Sequence, residues 1–566
     1  MKEEGHKSNG VIRISTDVLV VGGGVTGLGT AAKIAETGYR AIVVESGPGL
    51  WGGGPAMPPL AGIDEGGQDN VNEVLDKVKK DDLIEVMPHT TITGVAGVPG
   101  DFHVKLASNG DKKELVVGAV VAATDFLTRP LNEAYGLDLS DAVLTQTRLE
   151  NMLGYGPDAD DKAAESLSGK SILFLAGFAQ EGNPITTKRV LKSVLAVEDM
   201  GGSTVHVCIG NIKVAGDGLE RLYKEGRDKG ASFYKLTEMP TVNAGGKKNA
   251  VSFFDPVLRE TVELEADTVV IEEEIVTDGI NEDLAELLRI DLGSSGYLQK
   301  DNVHRFPVNS NREGVYVVGP ARDALGMAES YTDMGNVALE LARLFGDGTK
   351  EVPSEIAVVD REKCAICLTC YRCCPHGAIY WDDKAVISPV ACQACGTCAS
   401  ECPQDAIQVN GFQDDGIADQ LEECCREENA SGAPLIVAFC CRNSAAEAEQ
   451  MATSFNMKLP EGLKTITVPC AGKIDIDYIL SAFTEGADGV LVLSCHTGNC
   501  KSETGNAFAR WRVNDAKRML AEVGIDPERL CFETLASNMG PEFSSIASGM
   551  EEKLKEMGPF HVKKAG

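Results

Sequence analysis

Residues 364–403 carry one cysteine pattern twice, and few folds can accommodate it without a metal. The first copy is Cys364, Cys367, Cys370 and Cys374–Pro375; the second is Cys392, Cys395, Cys398 and Cys402–Pro403. Both read Cys-x2-Cys-x2-Cys-x3-Cys-Pro, with corresponding cysteines 28 residues apart. Three thiolates on so tight a loop can bind three irons of one cubane while the loop amides face the anionic cluster, and the proline halts the chain beyond the fourth thiolate. Structural zinc uses pairs of Cys-x2-Cys, not triplets each followed by Cys-Pro. The pattern is that of an electron-transfer protein.

The run is that of bacterial two-cluster ferredoxins, in which the fourth cysteine of each copy ligates the other copy's cluster. By that rule Cys364, Cys367, Cys370 and Cys402 hold one 4Fe–4S cluster, and Cys374, Cys392, Cys395 and Cys398 the other. The 566 residues include 18 cysteines, and the opening MKEEGHKSNG lacks the apolar core of an export signal. Metal ligation in a reducing cytoplasm is therefore expected rather than disulfide bonding. A net charge of −32 disfavours nucleic acid, whose phosphates select basic surfaces. No apolar run approaches the roughly 18 residues of a spanning helix, so any membrane association would pass through a partner subunit.

Taken in order, residues 12–21 (IRISTDVLVV) read as a buried parallel strand. It leads into Gly22-Gly23-Gly24-Val25-Thr26-Gly27, a helix (LGTAAKIAETG) and a second strand ending at Glu45. This is a dinucleotide-binding βαβ unit. Gly22, Gly24 and Gly27 permit the turn and the approach of a pyrophosphate, the helix N-terminus favours its charge, and Glu45 suits a ribose hydroxyl. Residues 168–300 read as an inserted second nucleotide-type subdomain. Its fingerprint is degraded to Gly177-Phe178-Ala179-Gln180-Glu181-Gly182, with a methyl at Ala179 where a pyrophosphate would approach and no acid closing the next strand. A retained fold with a lost or altered nicotinamide site is expected, with Cys208 a small core residue. Residues 1–350 contain no Cys-x-x-Cys or Cys-x4-Cys, which argues against dithiol chemistry beside a flavin.

The remaining boundaries place a ferredoxin module at 355–412, an acidic helical linker at 413–432 with incidental exposed thiols Cys424 and Cys425, and a fresh doubly wound α/β domain at 433–566. In that last domain three apolar strands each run into cysteine: PLIVAF into Cys440–Cys441, KTITVP into Cys470 and GVLVLS into Cys495, with Cys500 closing the loop CHTGNC. Strand C-termini of an open parallel sheet share one edge, so four thiols converge there beside helix N-termini, which favour anionic sulfur. Adjacent strand residues face opposite ways, so one of Cys440 and Cys441 faces this site and the other the core. Cys531 reads as core.

Several stretches resemble two-dinucleotide-binding flavoproteins. Gly52–Gly53 in SGPGLWGGG matches the second glycine pair of that family. GVYVVGPARD, with Gly319 at the crossing and a helix from about Asp333, matches the strand and helix that close over the FAD ribityl chain. Ala123-Thr124-Asp125 matches the family's Ala-Thr-Gly strand end, with Asp125 in place of glycine. The resemblance implies FAD as the cofactor. The modules together resemble the A-type subunit of heterodisulfide reductase fused to a hydrogenase delta subunit of the methyl-viologen-reducing type. The B-type subunit of the quinone-interacting membrane-bound oxidoreductase has the same fusion. FTEGADGVLVLSCHTGNC, Gly505–Asn506 and RLCFETLASNMGPEF carry the delta-subunit likeness, whereas the family's first cysteine of that region is Ala438 here. The resemblance implies a further cluster, 2Fe–2S in type, on Cys441, Cys470, Cys495 and Cys500. It also implies an electron-transfer subunit working between FAD, the clusters and partner redox subunits such as a hydrogenase, a dehydrogenase or a quinone-linked membrane subunit. The residues leave open a self-contained NAD(P)H-dependent flavoprotein reductase and an iron–sulfur redox sensor.

Overall fold

The computed structural model describes residues 10–47, 67–154, 161–180, 182–210, 216, 218–244, 248–299, 302, 305–426 and 432–558. Gly52 and Gly53 lie outside them.

The predicted first strand divides in two. Val11–Arg13 (β1) pairs antiparallel with Thr349–Glu351, and Val18–Val21 (β2) enters a parallel sheet. Only the second piece is apolar at every position, so only it can lie in a sheet buried on both faces. Val25–Glu36 (α1) follows, then Ala41–Val44 (β3), Ile84–Met87 (β4) and Ala119–Ala122 (β5).

A second parallel sheet is inserted here, built from Val143–Thr145 (β6), Ser171–Ala176 (β7), Thr204–Ile209 (β8), Ser232–Lys235 (β9) and Thr268–Ile271 (β10), in the order β6-β10-β7-β8-β9. The inserted unit thus begins upstream of residue 168. Pro184–Met200 (α2) packs on it, and Cys208 is fully buried in its core. Phe126–Pro130 and Glu273–Thr277 pair antiparallel as the chain leaves and returns.

Val315–Val317 (β11) then completes the first sheet in the order β11-β5-β2-β3-β4, and Met327–Phe345 (α3) covers it. That helix begins six residues before the expected Asp333, because Asp333 is a buried side chain within the helix and not its start.

The ferredoxin module consists of two short antiparallel pairs and two one-turn helices, Thr369–Cys373 (α4) and Thr397–Ser400 (α5). The stretch expected as a helical linker forms the helix Asp414–Arg426 (α6), but packs into the next domain and does not act as a free linker. Ile417 and Leu421 are buried in the core of the following domain, and Cys424 and Cys425 pack against it half-buried. Their spacing of four and then three or four residues makes an apolar stripe on an acidic helix, so the thiols are not exposed. The last domain has Ile436–Cys441 (β12), Leu463–Val468 (β13), Ile476–Glu485 (α7), Gly489–Ser494 (β14), Gly505–Glu522 (α8), Leu530–Thr534 (β15) and Gly540–Met557 (α9). Its sheet is parallel in the order β13-β12-β14-β15.

The inserted unit holds a buried charge network. Arg189 on α2 is 1 % exposed and donates to both carboxylate oxygens of the fully buried Glu150 at 2.9 Å, and it also pairs with Glu273 at 2.9 Å. Replacing Arg189 with Met leaves two buried carboxylates unpaired, which should lower stability by about 3–5 kcal/mol. Anaerobic thermal unfolding followed by circular dichroism measures this.

Candidate functional site

The first glycine turn is shaped by close backbone contacts. Gly22 has φ +120°, and a Cβ there would lie 2.3 Å from the Ala123 carbonyl oxygen. The Gly23 N–H donates to Glu45 Oε2 at 2.7 Å, leaving Glu45 partly open to solvent at the end of β3. Gly24 is the N-cap of α1 and supplies no side-chain cap. Gly319 sits between Thr26 of α1 and Ser330 of α3, and its N–H donates to buried Asp333, which also accepts from Arg322. Thr124 is brought to the same strand edge, but its hydroxyl is committed to Asn281 Oδ1 at 2.7 Å. The cradle suits a dinucleotide in its uncapped helix N-terminus, its glycine turn and the partly exposed Glu45 at the rim, with the Asp125 carboxylate standing against Gly24.

The second glycine turn is closed. The Gly177 N–H donates to Glu272 Oε1 at 2.9 Å, and the same oxygen accepts from Tyr135 at 2.6 Å. Glu272 Oε2 accepts from Gln180 at 3.2 Å, and the residue is 1 % exposed. A carboxylate of the chain's own stands where an incoming phosphate would have to bind. Sequence reasoning missed it because the signal, Glu272 directly after β10, lies nearly a hundred residues from the turn.

The ferredoxin cysteines gather crosswise. Cys364, Cys367, Cys370 and Cys402 line one apolar cavity. Cys370 is raised by burial and by thiolate neighbours Cys367, Cys402 and Cys364, whereas Cys398 is raised by burial and by Cys395, Cys374, Cys373 and Cys392. Both loops curl alike, with Ile366 and Leu368 in the first and Ala394 and Gly396 in the second at positive φ. Equivalent positions therefore adopt the left-handed conformation in both copies, and for Ile366 this conformation is costly enough to need support from its surroundings.

In the last domain Cys441 and Cys495 Sγ atoms are 3.8 Å apart, and Cys470 lies within hydrogen-bonding reach of Cys441 and Cys500. All four are buried. Hydrogen bonds from Cys441 and Cys500 hold Cys495 low, as a thiolate, whereas Cys470 is pushed up by Cys441, Cys500 and burial. Cys440 faces the other way, into the core with Ile436 and Ala438. Gly505 is required by close approach, since a Cβ there would lie 2.4 Å from Cys470 Sγ. Asn506 donates to the Cys495 and His496 carbonyls at 3.0 and 2.9 Å, which fixes the loop against α8. Among the described residues no three His, Cys, Asp or Glu side chains are arranged around a single metal ion; in an iron–sulfur cluster the thiolates are spread over two or four irons instead of converging on one.

These sites adjoin one another. Cys395 shares a buried core with Cys441, Cys470, Cys495 and Cys500. On the other side, Arg289 donates to the Tyr371 carbonyl at 3.2 Å, Asn311 donates to the Pro375 carbonyl at 2.9 Å, and Arg312 packs on Gly377. Asn302 of the flavoprotein half donates to the Cys500 carbonyl at 3.1 Å. Sequence periodicity carries no signal for such contacts between modules.

Comparison with known proteins bears on each module. Residues 17–89 match the FAD binding domain family, 385–408 the 4Fe–4S binding domain family, and 436–558 the family described as methyl-viologen-reducing hydrogenase, delta subunit. The D-type iron–sulfur subunit of the F420-non-reducing hydrogenase vhu from Methanocaldococcus jannaschii is 36% identical over 23% of this chain and 97% of its own length. The A-type subunit of the ferredoxin:CoB-CoM heterodisulfide reductase from Methanosarcina mazei is 27% identical over 79% of this chain, which spans 58% of that protein. Lactococcus lactis thioredoxin reductase superposes on 58% of this chain and 98% of its own at 18% identity, with a TM-score of 0.40. The fold and sites thus define an FAD-binding, 4Fe–4S-bearing α/β protein. More particularly, the chain belongs through residues 436–558 to the hydrogenase delta-subunit family, fused behind a flavoprotein like the A-type subunit of heterodisulfide reductase. Among the described residues no helix is long and apolar enough to cross a membrane.

Replacing Gly505 with Ala forces a methyl against Cys470. Overpacking of this kind should cost about 1–3 kcal/mol, read as a lowered anaerobic melting temperature of the cluster-free chain.

Proposed function

We propose that this chain is the electron-transfer subunit of a flavin and iron–sulfur oxidoreductase complex, of the heterodisulfide reductase or quinone-interacting oxidoreductase kind. One observation carries the reading: the flavoprotein half, the two ferredoxin thiol groups and the four-thiol site are packed against one another, with Cys395 in the four-thiol core. FAD supplies the exchange between paired and single electrons. Gly22, Gly24, Gly27 and Glu45 would hold it, with Gly319, Thr124 and the Gly52–Gly53 pair.

One 4Fe–4S cluster falls to Cys364, Cys367, Cys370 and Cys402, the other to Cys374, Cys392, Cys395 and Cys398. Cys441, Cys470, Cys495 and Cys500 take a further cluster of 2Fe–2S type. The four thiols of the last domain are buried, whereas Cys367 of the first ferredoxin loop is exposed, and the four-thiol domain faces a partner redox subunit, hydrogenase-like or quinone-linked. The setting is cytoplasmic, with membrane contact through that partner. The domain limits are 1–350 with the inserted unit, 355–412 and 433–566, and α6 belongs to the last.

Purified anaerobically and reconstituted, the full chain should carry about eight irons in the ferredoxin module plus those of the four-thiol site. Cys367→Ser should remove one 4Fe–4S signal from the electron paramagnetic resonance spectrum. Cys441→Ser should remove the third cluster's signal, and Cys440→Ser should not. Iron at trace level after reconstitution would refute the reading.

Because Glu272 occupies the Gly177 turn, neither NADH nor NADPH should reduce the bound flavin rapidly in stopped-flow absorbance. Rapid bleaching by either alone would favour a self-contained reductase.

A further inference from the structure

Asp125 follows β5 at the edge where the first glycine turn opens. A Cβ on Gly24 would lie 2.3 Å from Asp125 Oδ2. Gly24 is the second glycine of the turn, whose missing side chain lets a pyrophosphate reach the backbone. Here a carboxylate of the chain itself stands against that glycine, before the uncapped first turn of α1. Two further acids act on it: Glu45 at the end of β3, and Asp278 just ahead of the helix Ile280–Leu288. Among the described residues no basic group contributes to its environment.

We propose that Asp125 couples FAD binding to proton uptake: the cofactor's diphosphate is accepted with the Asp125 carboxyl neutral and is opposed by the carboxylate. The proposal rests on the FAD reading. Ionised, Asp125 would set a third carboxylate against an incoming diphosphate. Protonated, its O–H can donate to a phosphate oxygen, as a side chain at this position must if it is to share the turn with the ligand. Burial, then the charges of Glu45 and Asp278, pushes the carboxyl up to about 6, although the residue keeps a partial opening to solvent. The sign follows. The free protein holds the proton below that value and releases it above, while a bound diphosphate holds it to higher pH. Between the two limits binding takes up one proton, so affinity falls by about tenfold for each pH unit gained.

The test is a fluorescence titration of FAD with the full-length chain, purified anaerobically without flavin, from pH 5.5 to 8.5. Wild type should show a dissociation constant that rises about tenfold per pH unit over part of that range. Asp125→Asn and Asp125→Gly should bind with little pH dependence, and at pH 8 at least about tenfold more tightly than wild type. A wild-type constant that does not move with pH, or variants that keep the wild-type slope, overturns the proposal. If wild type binds no FAD at any pH, the FAD reading itself fails, an outcome distinct from pH-independent binding.

A measurement free of flavin guards against misfolded variants. A carboxyl raised in the folded state stabilises less as pH climbs from its unfolded value towards about 6. The flavin-free melting temperature of wild type should therefore fall across that window relative to Asp125→Asn, and parallel curves count against the proposal.

Discussion

Lys473 is an ammonium group buried to 1 % exposure at the seam between the ferredoxin module and the four-thiol domain. Its Nζ is held by Asp414 and Tyr478, and it lies 4.8 Å from the Tyr478 ring centroid. Its stem packs where a Cβ on Gly396 would fall, and its carbonyl accepts from Ser400 at 2.7 Å. Arg512 repeats the arrangement, reaching Glu401 at 2.7 Å and the Gly472 and Ile474 carbonyls at 2.9 and 2.8 Å. A buried cation missing one partner is strongly destabilising, while the intact pair adds little net stability. These contacts join the second cysteine loop, through Gly396, Ser400 and Glu401, to the four-thiol domain through Lys473 and Arg512. The proximity of Cys395 to Cys441, Cys470, Cys495 and Cys500 depends on that junction.

The parts legible in the sequence are those set by covalent spacing. Spacing brings the first three thiols of each copy together, and the crosswise grouping around Cys370 and Cys398 is the one that the likeness to two-cluster ferredoxins implies. Alternation along β12 likewise separates Cys440 from Cys441, since neighbouring strand residues must face opposite sides of a sheet. Illegible were features that depend on partners far along the chain. The acidic stretch after the ferredoxin reads as a linker by composition, yet Ile417 and Leu421 find a core to bury in. The first strand breaks after Ile14, which continues the antiparallel register of β1 onto Gly348, while the Ser15 N–H turns to the Gly100 carbonyl. Neither partner is visible in a window of ten residues.

The two nucleotide-type turns show how one local motif is turned to opposite ends. Both place an N–H of the glycine loop on a glutamate, Gly23 on Glu45 and Gly177 on Glu272. Glu45 comes from the next strand of its own βαβ unit and stays partly accessible at the rim, its second oxygen accepting from the neighbouring Gly47 N–H and Ser46 hydroxyl. Glu272 comes from β10, the strand on the far side of β7, and is closed in by Tyr135 and Gln180. Its neighbour Glu273 is locked to Arg189, which leaves Glu272 no freedom to withdraw. The degraded fingerprint and the internal acid occur together: Glu272 satisfies the turn N–H that a pyrophosphate would otherwise meet, beside the Ala179 methyl.

The four thiols of the last domain carry the argument from packing to chemistry. Burial opposes ionisation of each thiol, and four in mutual contact stabilise one thiolate by donating to it rather than four. In the protein alone, hydrogen bonds from Cys441 and Cys500 favour the ionised form of Cys495 against the cost of its burial. Backbone N–H groups of Asn443, Lys501 and Asn506 donate to Cys441, Cys495 and Cys500, but among the described residues no Lys or Arg side chain acts on these sulfurs, so several thiolates together need cationic charge from elsewhere. Iron supplies such charge, and sulfur ligands suit it. The glycine at 505 and the amide of Asn506 preserve a close arrangement of sulfurs that a hydrophobic core would not require. A core needs volume filled; this site keeps four sulfurs in reach of one another at the edge of the sheet that meets Cys395.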